Sequence, residues 1–187
     1  MADKDIVELL LADHKEAESL LGKIGQSSVD QSKLFDDLVS ALVAHEVAEE
    51  EVVYPVVRSS VPNGDQVAEP RIAEQQKAEE LLAKMETMDR HSSQFATSMA
   101  TLKKEALAHA QSEEQHVFPK LRESVSEDRR AQLATAYRAA KAAAPTHPHP
   151  GAPNTPPGNV AVGSIAAVGD RVRDAARTAM EKIHAGH

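Results

Sequence analysis

Residues 45–55 read H-E-V-A-E-E-E-V-V-Y-P and residues 109–119 read H-A-Q-S-E-E-Q-H-V-F-P. Both have the form His, three residues, Glu-Glu, three residues, an aromatic and Pro. Positions i and i+4 share one face of an α-helix, so His45 with Glu49, and His109 with Glu113, can each present an imidazole and a carboxylate to one point. Two such helices facing each other make a cage of nitrogen and oxygen donors, which suits a pair of transition-metal ions. His14 interrupts a third apolar stripe in the same way. Burying one unpaired imidazole or carboxylate costs on the order of several kcal/mol. A metal pair accounts for all five residues at once, where a buried hydrogen-bonded network must satisfy each separately. Two bridging carboxylates and three imidazoles supply roughly seven bonds, whereas two five- or six-coordinate ions need on the order of ten to twelve. Positions therefore remain for an oxo or hydroxo bridge, water or an exogenous small molecule.

The elements that must position these residues are helices. Glycine and proline are nearly absent from residues 5–55 and 66–144, and apolar residues recur there at 3–4 spacing. Helix 1 is predicted from about Asp3 to Ile24, ended by G-Q-S-S at 25–28. Helix 2 runs from about Gln31 to Ser59, with Pro55 bending or ending its last turn. S-V-P-N-G-D at 60–65 is a turn, helix 3 spans about Gln66 to Arg90, and helix 4 starts at Ser92 or Ser93 as N-cap. Short connections between four helices predict an all-α, up-down antiparallel four-helix bundle. Ser126 opens a further helix with Glu127 and Asp128 in its first turn. Residues 1–144 are thus expected to form the bundle plus a fifth helix, 145–159 a Pro-rich extended linker, and 160–187 a C-terminal tail that can be helical.

Composition excludes several chemistries. The 187 residues hold 21 Lys and Arg against 29 Asp and Glu, a formal net charge of −8, and no basic cluster with interleaved aromatics, so no nucleic-acid partner is expected. The absence of cysteine removes disulfides, thiolate metal sites and thiol catalysis. Met1 to Asp5 carries no signal-peptide pattern, and no apolar run approaches the ~20 residues of a membrane span, so a cytoplasmic protein without a membrane partner is expected.

The order of His14, His45-x-x-x-Glu49 and His109-x-x-x-Glu113 resembles the bacterial hemerythrin-like HHE cation-binding domains over roughly residues 5–123. That resemblance implies a four-helix bundle around a non-haem di-iron centre, two iron ions joined by an oxo or hydroxo bridge. The family usually places a histidine on helix 3, in an E-H-x-x-x-x-L-L context. Here the segment is Glu74-Gln75-Gln76-Lys77-Ala78-Glu79-Glu80-Leu81-Leu82, and Gln75 occupies the histidine's place. Glu74 and Glu79 are the candidates to fill the gap. The loss of a nitrogen donor argues against reversible oxygen carriage and for one accessible iron.

The remaining residues divide by position. His116, seven residues after His109, is a candidate for proton transfer or for capping the wet end of the bundle. Tyr54 and Phe118 lie nine residues past each motif histidine, which on an ideal helix points them away from the metals; Tyr54 needs the Pro55 distortion to reach iron. His147, His149, His184 and His187 read as exposed. The expected function is that of a di-iron oxidoreductase acting on hydrogen peroxide in a catalase-like manner, or on nitric oxide. The alternatives are a module that binds or senses O2, NO or iron without turnover, its tail relaying the state to a protein partner, and a ferritin-like iron oxidase. The last fits least, because it wants two Glu-x-x-His motifs and the bundle has one, Glu113 to His116.

Overall fold

A computed structural model describes residues 5–25, 30–150 and Asp170. The described residues form α1 (Ile6–Lys23), α2 (Gln31–Ala48), α3 (Tyr54–Ser60), α4 (Gly64–Glu86), α5 (Ser93–His116), α6 (Phe118–Ser124) and α7 (Glu127–Ala143). The helix expected over 31–59 is α2 and α3 joined by a π-helical turn, Glu49–Val53. Caps fix the starts. The Asp5 carboxylate accepts from the Val7 N–H at 2.9 Å, Asp30 from Ser32 and Lys33 at 3.0 and 3.1 Å, and the Ser92 hydroxyl from Phe95 at 3.0 Å. At the turn before α4, Asn63 is left-handed with φ 57°, and a Cβ on Gly64 would lie 2.2 Å from the Val57 carbonyl oxygen. Only glycine allows α3 and α4 to approach this closely.

The four rods of the bundle are α1, α2–α3, α4 and α5–α6, and α7 packs across α1, α2 and the π-turn. Two apolar clusters fill them. One gathers Leu10, Tyr54, Val57, Phe118, Leu121, Leu133 and Tyr137; the other gathers Leu21, Phe35, Leu38, Leu82, Met85, Met99 and Leu102. On each rod a polar residue stands where one cluster gives way to the other: His14 between Leu10 and Leu21, His45 between Val43 and Ala48, Gln75 between Ile72 and Ala78, and Glu113 between Leu102 and Val117. The interruptions of the apolar stripes therefore meet at one level.

Residues 145–150, expected as exposed linker, pack on the bundle. Pro145 and Pro148 are buried, the His149 N–H donates to Glu79 Oε1 at 2.9 Å, and His147 Nδ1 bonds Glu86 on α4. The backbone N–H groups of Thr146 and His147 both donate to Asp170 at 3.2 Å, and His149 Nε2 lies 2.9 Å from the same carboxylate. His147 and His149 are thus engaged rather than incidental. The rest of the expected linker and tail, with His184 and His187, lies outside the described residues, as do the residues following Gly25 in the first turn. No helix among the described residues is long and apolar enough to cross a membrane.

Candidate metal centre

The site's shape begins with proline. Pro55 has no N–H, and its ring would clash with the carbonyl four residues back in a regular helix. The chain widens just before it, and the Tyr54 N–H bonds the Glu49 carbonyl five residues back. A π-turn adds one residue to the turn and rotates the helix beyond it. Tyr54, which an ideal helix would aim away from His45, is buried and donates its hydroxyl to Glu113 Oε1. The equivalent Phe118 comes after a simple break at Val117, and its ring stacks on His14 with centroids 5.4 Å apart.

His14, His45, Glu49 and Glu113 each offer one ligand atom within 4.8 Å of the others, all four residues buried. His14 Nε2 lies 3.2 Å and His109 Nε2 3.4 Å from the same Glu113 Oε2, and His45 Nε2 lies 3.3 Å from Glu49 Oε2. Gln75 joins them, its amide Nε2 donating to Glu49 Oε2 at 2.6 Å and standing 3.5 Å from the Tyr54 hydroxyl.

The other nitrogen of each imidazole is tied to an acid or its relay. His14 Nδ1 lies 2.9 Å from Glu114, His109 Nδ1 2.9 Å from Glu74, and His45 Nδ1 2.8 Å from the Tyr137 hydroxyl, which in turn donates to Asp13 at 2.7 Å. A proton held at Nδ1 leaves Nε2 as a bare lone pair. Three such lone pairs then face carboxylate oxygens at 3.2–3.4 Å with no proton to share. Among the described residues, six buried polar atoms accordingly lack a hydrogen-bond partner: Nε2 of His14, His45 and His109, one oxygen each of Glu49 and Glu113, and Oε1 of Gln75. Buried acceptors left this way are costly, and cations between them remove the cost. The donor set of imidazole nitrogen and carboxylate oxygen fits transition-metal ions.

Protonating the imidazoles is the other way to satisfy these atoms, and it acts unequally on the two carboxylates. Burial, then the neighbouring Glu113, pushes the Glu49 carboxyl well above its ordinary range. Burial pushes Glu113 up too, but His109, His14 and His45 outweigh it and pull Glu113 down to about 2. Burial lowers and Glu113 and Glu114 raise the His14 imidazole, with a net rise, whereas burial keeps His45 below its ordinary value. Two carboxylates this close resist joint ionisation without a cation. Burial, and then Glu49 and other carboxylates, raise Tyr54 and Tyr137 and keep both as phenols.

Three candidates fall outside the cluster. His116 is exposed and bonds the Ser112 carbonyl at 3.0 Å, so it is not placed for proton transfer at the site. Glu74 faces His109 Nδ1 and pairs with Arg71 at 2.7 Å, orienting the imidazole rather than joining the donors. Glu79 serves the His149 backbone instead. Sequence reasoning missed Tyr137 and Asp13. A lone Tyr in an Ala-rich helix was the available signal, since a buried hydroxyl needs a partner.

A helical bundle whose two apolar clusters are parted by a buried His and Glu cage defines the class: a metal-binding bundle. Residues 5–121 match the family model of the hemerythrin HHE cation binding domain, and the chain belongs to that family. An uncharacterised hemerythrin-like protein of Schizosaccharomyces pombe is 32% identical over 173 residues, 90% of this chain and 85% of that protein. A DNA nickase of Nostoc is 30% identical over 141 residues, 74% of this chain but only 40% of that protein. The crystal structure of a hemerythrin HHE cation binding domain-containing protein from Mycobacterium kansasii shares the fold, with a TM-score of 0.63 at 20% identity, over 74% of this chain and 88% of that one.

Proposed function

We propose that this chain holds two iron ions between His14, His45, Glu49, His109 and Glu113 and reacts there with hydrogen peroxide or a related small oxidant such as nitric oxide. The observation that carries the reading is the convergence of six unpartnered buried donor atoms from four rods. Glu49 and Glu113 would each offer an unpartnered carboxylate oxygen to the metals, their other oxygens being held by Gln75 and Tyr54. Bound iron would supply Lewis acidity and redox capacity. The chain's own residues do the rest. Glu74, Glu114 and the Tyr137–Asp13 pair hold the imidazoles in orientation. With His116 outside, the Tyr54 hydroxyl is the proton donor inside the site, bonded to Glu113 and 3.5 Å from Gln75. Gln75 stands where a further imidazole would complete a nitrogen-rich set, and its Oε1 is a weaker donor.

The test is an optical spectrum of the iron-loaded protein during peroxide addition, with dissolved oxygen measured in parallel. Oxygen evolution with an intact spectrum is the expected result. A stable adduct without oxygen would support the second reading, a binding or sensing module. One observation favours that alternative: residues 145–150 are fastened to α4, the helix that carries Glu74 and Gln75, through Glu79 and Glu86. The C-terminal residues are thereby linked to the helix beside the site and could report its state to a protein partner.

A further inference from the structure

A cavity of about 390 Å³ extends from the donor cluster into the bundle. His14, His45, Gln75 and His109 line one end of it. Its walls are aliphatic and largely small: Leu21, Leu42 and Leu102 with Ala41, Ala78 and Ala106. Peroxide, nitric oxide and dioxygen are close to water in size, and water's share of liquid volume is about 30 Å³. The space is thus roughly an order of magnitude larger than the oxidant needs. An apolar cavity of only about 150 Å³ already takes up benzene, and a void left empty forfeits packing on every wall.

Charge narrows the class of guest. Of the three basic residues at the lining, Arg71 is paired with Glu74 and Lys141 with Asp13, both at 2.7 Å. That leaves Lys77 against Glu16, Glu18 and Glu105. An anionic guest would meet net repulsion, and an uncharged one would not. The exposed Glu16 and Glu18 of α1 and Glu105 of α5 mark the side on which the cavity meets solvent.

We propose that this cavity binds a small uncharged organic molecule, an alcohol or phenol with an apolar body of on the order of ten non-hydrogen atoms, a size set by the ratio of the cavity to the volume of a water molecule. Its hydroxyl lies at the end lined by His14, His45, Gln75 and His109, and its body fills the Leu and Ala walls. The hydroxyl's position beside an iron pair rests on the function proposed above; occupation of the apolar space does not. The molecule would be held next to the place where the oxidant reacts.

The test is calorimetric titration of the full chain, metal-free and iron-loaded, with 1-octanol, and with octanoate as the charged control. The alanine methyl resonances are monitored by NMR. The expected result is saturable binding of one octanol per chain in both forms, with shifts at Ala41, Ala78 and Ala106, and at least tenfold weaker binding of octanoate than of octanol to the metal-free form, where no cation offsets the acidic lining. Ala106→Phe, which fills the cavity from a half-buried wall, should weaken octanol at least tenfold while circular dichroism and iron content stay unchanged. Ala41→Phe provides the same test from α2 should the first variant not fold. Absence of saturable octanol binding, octanoate binding to the metal-free form as tightly as octanol, or octanol binding unaffected by a folded cavity-filling variant would each overturn the proposal. None of these outcomes depends on peroxide turnover, so failure here is distinct from failure of the proposed reaction.

Discussion

The two His-x-x-x-Glu-Glu repeats share one pattern and do different things. In the second, α5 runs on to His116 and breaks once at Val117, so Phe118 turns in and stacks on His14. In the first, the π-turn over Glu49–Val53 adds a residue, and Tyr54 delivers a hydroxyl to the other repeat's carboxylate. The carboxylates diverge accordingly. Glu113 is approached by His14, His109 and Tyr54. Glu49 has one imidazole, His45, and the Gln75 amide. The second glutamate of the later repeat, Glu114, steadies His14, a histidine from outside its own motif. A repeated motif therefore supplies donor types at helical spacing, while the backbone register behind it decides what each donor meets.

Removing either carboxylate should separate the repeats most. Glu113→Ala takes away the group on which two imidazoles converge and should leave iron content near zero by elemental analysis. Glu49→Ala should retain a measurable fraction. Equal retention would mean that the unequal surroundings of Glu49 and Glu113 do not govern metal affinity.

The metal-free bundle should also show opposite pH behaviour from the two carboxyls. Glu49 has a folded-state value raised above 4.5, so its contribution is present below that pH and lost as pH rises through the raised value. Glu113 is depressed from 4.5 to about 2, so its contribution is present above 4.5 and lost as pH falls toward 2. At pH ~7, Glu49→Gln should stabilise the metal-free protein, and Glu113→Gln should destabilise it by on the order of 3 kcal/mol. Urea unfolding of both variants checks the signs, and like signs would refute the assignment.

Tyr54→Phe makes the first repeat resemble the second. It strips the Glu113 Oε1 of its donor and should cost roughly 1–3 kcal/mol in urea unfolding of the metal-free protein. It should also slow peroxide turnover, where the reciprocal Phe118→Tyr should not hasten it. The smallest effect belongs to His116→Ala: an exposed imidazole bonded to its own helix should leave turnover within about twofold, in line with the small effects of surface substitutions.

Much of this was legible in the sequence. Helical periodicity placed His14, His45, Glu49, His109 and Glu113 on inner stripes because i and i+4 share a face whatever the tertiary context. The all-helical bundle came from the same period and the short connections. Tyr54 was legible only as a residue that the Pro55 distortion had to bring to the site. Nine residues past His45 is half a turn away on a regular helix, and only the π-turn reverses it. Pro55 signalled a distortion but not its kind. The His45–Tyr137–Asp13 relay joins α2 to α7 and α1, a long-range contact that no local spacing encodes. His147 and His149 read as exposed because a Pro-rich composition suggests an extended linker, yet Pro145 and Pro148 are buried.

Elemental analysis combined with Mössbauer spectroscopy of protein produced under iron-replete growth tests the proposed centre most directly. Three imidazoles cannot divide evenly between two ions. The prediction is two irons per chain in two inequivalent environments, both lost in Glu113→Ala. One iron per chain, preferential zinc, or two equivalent irons would contradict it.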